Sequence, residues 1–459
     1  MDFNSQLISS VKIRKLFGLY DYDLPIDGEL SGASIIYGDN GVGKSTLLRL
    51  VFHLLSSSNS NGHRNSLFTS VFYYLEVILS SGYKLTAEFQ SKNSVRILSL
   101  KIYDREKLIA DWDYTPKADR SFLSDDYELE FQEIIMFDGK KRMIHTKKSK
   151  SKSVKGEKNY IEILRSIVPV TFILNADRRL SSDSISDPSD EVELRKVLRF
   201  KEPKDLNELV SRTRELAVSQ ALNRAGAWFS RKAFQGTNQG ADNVHSVYAK
   251  VLKQLVAEQT VKNINNEIEI INSLENIQSR SKKLAEYELA TVLDMSEFKS
   301  IISKKNELAY SLATDILATY IESLESRLDA VTPIYNMLDK FVSIINGLLR
   351  DKVISFKLGT GFYIVNMNGD LLLANQLSSG EQQLILLFCY VIVARDQPSI
   401  FMIDEPEISL NIKWQRKLVQ TLLDMTDGEN VQFIFASHSM ELLAQHRDKV
   451  VIMTSKGDE

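Results

Sequence analysis

Eight residues from Gly38 to Ser45, Gly-Asp-Asn-Gly-Val-Gly-Lys-Ser, have the composition of a loop that wraps a phosphate. Glycines at 38, 41 and 43 allow backbone conformations and close approaches that a side chain would block, so main-chain amides can point inward at an anion. Lys44 adds a mobile positive charge for β- and γ-phosphates, and the Ser45 hydroxyl suits a Mg²⁺ ion; Asn40 and Thr46 complete the candidate binding set. Two carboxylates, Asp404 and Glu405, end the apolar run Ile400-Phe401-Met402-Ile403. There Asp404 would hold the metal through its water shell, while Glu405 would orient and activate the attacking water as general base. His438 follows a second apolar run, Phe433-Ile434-Phe435-Ala436, and a neutral imidazole at that place can report a γ-phosphate or the attacking water. The chemistry these residues could do together is hydrolysis of a nucleoside triphosphate.

A fourth group, Ser378, Ser379, Gly380 and Glu381 in Leu377-Ser-Ser-Gly-Glu-Gln-Gln383, lies in the chain between the phosphate loop and the acidic pair. It opens the stretch Gln382 to Arg395, which is apolar on nearly every side and reads as a buried helix. Ser378 with Glu381 three residues on is a capping box, and the free amides and dipole at such a helix end attract anions. Such a helix is expected to lie remote from its own phosphate loop, so the phosphate it meets should belong to ATP bound on a partner protomer.

The elements that must position these groups are legible as periodicities. Val11 to Leu24 reads as an antiparallel pair of strands, Ala33 to Tyr37 as a strand ending at the phosphate loop, and Thr46 to Phe52 as the helix that leaves it. Strand-forming segments between Val71 and Tyr114, turning at Ser80-Ser81-Gly82, imply an antiparallel subdomain. Nine basic residues against one acid, Glu157, between Lys140 and Lys158 read first as a solvated loop and second as a phosphate-backbone contact, with Tyr160 at its edge. Val168 to Leu174 is a further core strand. From Glu191 to Arg350 the pattern is helical, with Val261, Ile264, Ile268, Ile271 and Leu274 as an apolar stripe, implying an inserted hairpin, bundle or coiled coil for oligomerisation or partner binding. Leu358 to Leu373 returns to strand and turn, with Asn368-Gly369 as a hairpin signal. The expected organisation is an N-terminal lobe 1–190, a helical insert 191–350 and a C-terminal lobe 351–459.

Bulk properties narrow the setting. A net charge of −3 gives no global basic footprint, and the single Cys389 excludes a disulfide framework. The longest apolar run, Leu384 to Ala394, is far shorter than the ~18 residues that read as a membrane-spanning helix. With no signal pattern at the N-terminus, a cytoplasmic protein without a membrane partner is expected.

Residues 33–52, 377–415 and 431–440 resemble the ABC-type ATPases of bacterial anti-phage systems, the class of the OLD-like proteins, the Septu ATPase and the PARIS ATPase, whose heads resemble those of SMC-type proteins. Marks of this branch are Asp404-Glu405-Pro406-Glu407, Ser409-Leu410, Trp414-Gln415, Ala436-Ser437-His438-Ser439 and Asp177-Arg178-Arg179. The resemblance implies an α/β P-loop head with an antiparallel β subdomain and a long helical insert, using ATP and Mg²⁺. It also implies self-association as an ATP sandwich or higher oligomer. Glu381 stands where transporter ATPases usually have glutamine, which favours the SMC-like side, and Asn411 stands where relatives often have histidine. The glutamine by which transporters sense Mg²⁺ has no clear counterpart; Asn175 or Asp177 occupies that region. No nuclease motif follows His438, so the resemblance implies a separate HNH or Toprim nuclease partner, with DNA or a phage protein as trigger. The alternative is an SMC-like DNA-repair ATPase that binds DNA directly.

Overall fold

A computed structural model describes residues 6–58, 62–92, 95–116, 127–135, 141–149, 152–176, 180–182, 215–238, 267–298, 307–407 and 412–454. Its chain folds as two compact units, Met1–Pro203 with Ala394–Glu459, and Lys204–Val393. The segment 351–393 therefore groups with the helices, where the sequence reading had placed it in a C-terminal lobe.

The first unit holds two six-stranded sheets. Strands β1 (Ile8–Leu16), β2 (Tyr20–Leu24), β4 (Tyr74–Leu79), β5 (Tyr83–Lys92), β6 (Val95–Asp104) and β7 (Lys107–Tyr114) form an antiparallel sheet in the order β2-β1-β4-β5-β6-β7. The other sheet runs β11 (Leu180–Ser182), β10 (Val170–Leu174), β15 (Ser399–Asp404), β16 (Val431–Ser437), β3 (Ala33–Tyr37), β17 (Val450–Ile452). All of its pairings are parallel except that of the edge strand β11. Parallel strands covered on both faces must be apolar throughout, and every residue of β15 and β16 is buried.

Helix α1 (Lys44–Leu55) lies between the sheets, and Leu47, Leu48, Val51 and Leu54 join residues of both in one core. Buried Gln432 ties the sheets together: its Oε1 accepts from Leu7 N at 3.1 Å and Ile8 N at 2.7 Å, and its Nε2 donates to Ile8 O at 3.0 Å and Ser31 O at 2.9 Å. All its capacity is used, which is what makes a fully buried amide tolerable. Helix α2 (His63–Thr69) sends Arg64 to cap the end of α1 through His53 O and Ser56 O.

Residues 140–158 depart from the loop expected of them. Strand β9 (Lys141–Ser149) pairs antiparallel with β8 (Tyr127–Ile135), and helix α3 (Lys152–Ile167) follows. Physically, the β-branched Ile144 and Thr146 favour a strand, and lysine is a good helix former, so charge masked two regular elements. Helix α3 covers β7 closely, a Cβ on Gly156 falling 3.0 Å from Asp111 O, and Tyr160 is fully buried near Trp112. Tyr160 is thus core and cannot stack on a base.

The second unit contains helices α4 (215–238), α5 (Glu267–Ala285) and α6 (Glu307–Leu348), and the antiparallel sheet β12 (Lys352–Lys357), β13 (Gly361–Asn366), β14 (Leu371–Leu372). Helix α6 is the spine. Phe229 meets Phe341, and a Cβ on Gly236 would fall 2.8 Å from Ala330 O, so α4 runs antiparallel to α6 at close approach. Arg280 bonds Asp329 and Thr332 while Tyr287, just beyond α5, bonds Asp339, so α5 runs parallel to α6. The arrangement is a bundle; a simple hairpin of α5 and α6 is excluded by that direction. Its buried face on α5 is Ile270, Leu274, Ile277, Ser281 and Leu284. Ile268, expected in the stripe, is exposed because it lies two residues, about 200°, from Ile270; Val261 and Ile264 lie outside the described residues. Phe229, Phe341, Phe356 and Phe362 pack the sheet onto the helices, which is why 351–393 belongs to this unit. The first unit contains the expected α/β core with its antiparallel subdomain, and the second contains the inserted helices.

Candidate active site

Three adjacent parallel strands reverse at one edge of the sheet. Tyr37 pairs with Ser437, and Asp404 with Ala436, so the loops leaving β3, β15 and β16 converge beyond their carboxyl ends, the place where open parallel sheets bind ligands.

The phosphate loop leaves β3. Gly41 and Gly43 hold φ of 87° and 99°, the left-handed region that glycine occupies without strain. A Cβ on Gly43 would fall 2.6 Å from Leu16 Cδ2, so the β1–β2 turn also demands glycine there, whereas beside Gly41 nothing lies within 4 Å. Tyr22 donates to Val42 O at 3.1 Å and holds the loop against β2. Helix α1 begins with no side-chain cap and no acid in its first turn, leaving its amides and positive dipole for an anion. Lys44 is buried, its ammonium folded onto Gly38 O at 2.7 Å and Asp39 O at 3.0 Å. Asn40 is exposed at the loop tip, and Thr46 sits in the first turn of α1.

The two residues expected to hold the metal meet. Ser45 Oγ donates to Asp404 Oδ1 at 2.8 Å. Burial pushes the Asp404 carboxyl above its ordinary range, and Glu407 adds to this, while Ser45, Arg49 and the Ala176 amide oppose it. A divalent cation would relieve the same burial. Leu174 pairs with Ile403, which sets Asn175 alongside Asp404, and Asn175 Oδ1 is buried without a hydrogen-bond partner. An unsatisfied acceptor next to a carboxylate and a hydroxyl suits the water shell of Mg²⁺. Asp177, Arg178 and Arg179 lie outside the described residues, as do Ser409, Leu410 and Asn411.

Beside this pair stands the expected base. Glu405 has φ 49°, its amide bonded to Ala436 O at 2.8 Å, and its Oε2 meets His438 Nδ1. Burial, then the Glu407 carboxylate, push the Glu405 carboxyl up; His438 opposes them. His438 is half exposed, so its ring faces both the base and solvent. Lys44, Ser45, Asp404, Glu405 and His438, more than 390 residues apart at the extremes, are thus gathered at one edge.

In the second unit, helix α7 (Ser379–Ala394) carries the Ser-Ser-Gly-Glu group at its start. The capping box is formed: Ser378 N donates to Glu381 Oε2 at 2.7 Å, and Glu381 N to Ser378 Oγ at 3.3 Å. Ser378 and Ser379 are exposed and Gly380 half-buried. Lys352 shares the inward face of β12 with Ile354 and Phe356, and its Nζ donates to both Glu381 oxygens at 3.1 and 3.0 Å. That contact neutralises a carboxylate in the first turn of a helix expected to meet an anion. Burial by itself would raise the Glu381 pKa, but Lys352 and Ser378 together hold it below the usual carboxylate range. A carboxyl depressed in the folded state contributes stability that is complete above its unfolded pKa and lost as pH falls through the folded value. Lys352→Met should therefore lower Tm near neutral pH, with the gap from wild type closing below about pH 4. Thermal unfolding across that range checks this; a gap independent of pH would assign the loss to packing of the lysine stem.

Three positions in contact with the candidate groups carry no site signal in the sequence. Glu407 and Gln415 were marks of a family branch, yet both touch the loop that carries His438. Lys352 gave no signal at all, because a lone lysine at a strand start has no motif. Among the described residues, Glu405, Glu407 and His438 also bring three ligand atoms within 4.8 Å of one another.

A family model for an AAA ATPase domain matches residues 7–443, and the chain belongs to that family. Among curated proteins, an uncharacterized ABC transporter ATP-binding protein of Methanocaldococcus jannaschii is 27% identical over 79 residues, 17% of this chain and 30% of that protein. The dipeptide transport ATP-binding protein DppD of Escherichia coli is 28% identical over 79 residues, 17% and 23% of the two chains. The lipoprotein-releasing system ATP-binding protein LolD 1 of Rhodospirillum rubrum is 33% identical over 78 residues, 17% and 33%. The chain thus spans a third or less of the length of these three relatives. Of solved structures, the Smc head domain of Pyrococcus furiosus bound to the C-terminal domain of ScpA aligns over 95% of this chain and 91% of its own, at 11% identity and a TM-score of 0.34. That of Pyrococcus yayanosii aligns over 98% and 96%, at 13% and 0.34. No described helix is long and apolar enough to cross a membrane.

Proposed function

We propose that this chain is an ABC-type ATPase that binds ATP with Mg²⁺, hydrolyses it slowly and uses the nucleotide to govern its own association and that of an effector. The observation that carries the ATPase reading is the grouping of Ser45 with Asp404, and of Glu405 with His438, at the ends of three adjacent strands. Lys44 and the loop amides hold the phosphates; Ser45 and Asp404 hold the metal, which supplies charge neutralisation at the transferred phosphate. Glu405 takes a proton from the attacking water, and His438 orients that carboxylate. Ser378, Ser379, Gly380 and Glu381 bind the γ-phosphate held by a second copy of this chain.

The motif set supports a narrower reading, a cytoplasmic sensor and scaffold of an anti-phage system that holds a separate HNH or Toprim nuclease and releases or activates it on infection. Mass measurement of the purified chain with and without the neighbouring gene product, in MgATP, tests it. A nuclease-bearing complex whose mass depends on Lys44 is expected. Absence of any such complex, together with DNA-stimulated hydrolysis, would replace it with an SMC-like DNA-repair ATPase. The lysines of β9 and α3 are the observation that favours that second reading.

A further inference from the structure

Ser437 is the last residue of β16 in the ladder, and the loop that follows it, His438-Ser439, has left the sheet and must find other partners for its amides. It finds a single side chain. Glu407 Oε1 accepts from Ser437 Oγ at 2.6 Å, His438 N at 3.0 Å and Ser439 N at 3.1 Å. The carboxylate is only 7% exposed and 3.5 Å from His438 Nδ1, and its charge helps to push the Glu405 carboxyl up. Gln415 braces the same junction, donating to Glu407 O at 3.3 Å and accepting from Ser439 Oγ at 3.3 Å. A buried carboxylate receiving consecutive main-chain amides is a strong and directional anchor.

We propose that Glu407 is the positioning residue of the site: it locks the loop that carries His438 to the loop that carries Glu405, and so fixes the imidazole against the base. The inference rests on the hydrolytic reading of Glu405. Two residues after Glu405 in a chain that turns sharply at φ 49°, Glu407 makes its hydrogen bonds to the His438 loop, and it acts on the site through His438 and Glu405. A third metal ligand is the rival role for this carboxylate, since Glu405, Glu407 and His438 are mutually close. Three donors already converge on Oε1, and they argue for the anchor.

The experiment compares Glu407→Ala and Glu407→Gln with wild type in three readouts. These are MgATP affinity by equilibrium binding, kcat and KM for hydrolysis, and the ¹⁵N spectrum of the histidine rings, with His438 assigned by His438→Gln. In Glu407→Ala, kcat should fall roughly tenfold to a hundredfold, the scale of a misplaced general base, with affinity changed by less than about twofold. The His438 ring signal should move toward that of a solvent-exposed imidazole. Glu407→Gln keeps an acceptor oxygen in place, so it should recover most of kcat and the wild-type ring signal. Equal falls in affinity and kcat, or a Glu407→Ala enzyme with unchanged kcat, would overturn the proposal. If the wild type itself binds ATP without turnover, the hydrolytic reading fails. The ring spectrum then decides the anchor alone, an unmoved His438 signal in Glu407→Ala refuting it.

Discussion

Glu405→Gln should slow turnover sharply while leaving the nucleotide bound. The amide is isosteric, keeps the main-chain bond to Ala436 and still reaches His438, but it cannot accept a proton from water. A fall in kcat of about 10²–10³-fold is expected, corresponding to roughly 3–4 kcal/mol of transition-state stabilisation. MgATP affinity should stay within a few fold of wild type, because Lys44, Ser45 and the amides of α1 are untouched. Lys44→Ala should lose affinity and turnover together. Radiolabelled ATP in single-turnover conditions, read beside equilibrium binding, separates the two variants. A Glu405→Gln enzyme that hydrolyses at the wild-type rate would place the base elsewhere.

Two inactive variants should restore activity when mixed. Lys44→Ala removes the phosphate loop's cation but keeps a sound Ser-Ser-Gly-Glu helix end. Gly380→Asp places a carboxylate in the first turn of α7, where it repels a phosphate, but keeps a sound phosphate loop. If each site is built from both copies of a two-fold dimer, the mixed dimer contains one composite site with both intact parts. Equimolar mixing should then return roughly a quarter of the wild-type rate, the fraction expected of random pairing in a symmetric dimer. Neither variant alone should hydrolyse, and Gly380→Asp should still bind ATP as a monomer. No recovery on mixing, in samples shown to exchange subunits, would mean that the helix end serves some other purpose than the partner's γ-phosphate. This result weighs directly on the partner assignments, since any effector held by the assembly depends on how the copies engage.

On the proposed function, hydrolysis and association are separable by residue: Glu405 and its neighbours would govern the first, Gly380 and its neighbours the second. The Lys352–Glu381 contact would belong to the second group. It neutralises an acidic residue at a helix start proposed to meet phosphate, and it does so from β12, which lies before the Leu358–Leu373 return to strand and turn expected from the sequence.

What the sequence determined by itself was the set of groups whose chemistry depends on close chain neighbours. A phosphate loop is one contiguous turn feeding a helix, so glycines at 41 and 43, with Lys44 and Ser45, are readable from order alone. The same holds for the capping box of Ser378 and Glu381, an interaction over three residues, and for β15 and β16, whose unbroken apolar runs require burial on both faces. Three matters were decided only in three dimensions. The order of the parallel strands brings Asp404, Ser437 and Tyr37 to one edge, and no local pattern encodes which strands are neighbours. The lysine-rich stretch is a strand and a helix because a partner strand and the surface of β7 offer pairing and burial that outweigh its charge. Glu407 and Lys352 take their roles from contacts across 32 and 29 residues, Glu407 with Ser439 and Lys352 with Glu381. A single acid or base in a sequence carries no sign of what it will be folded against; burial next to an unmet donor or an opposite charge is what turns it into a part of the site.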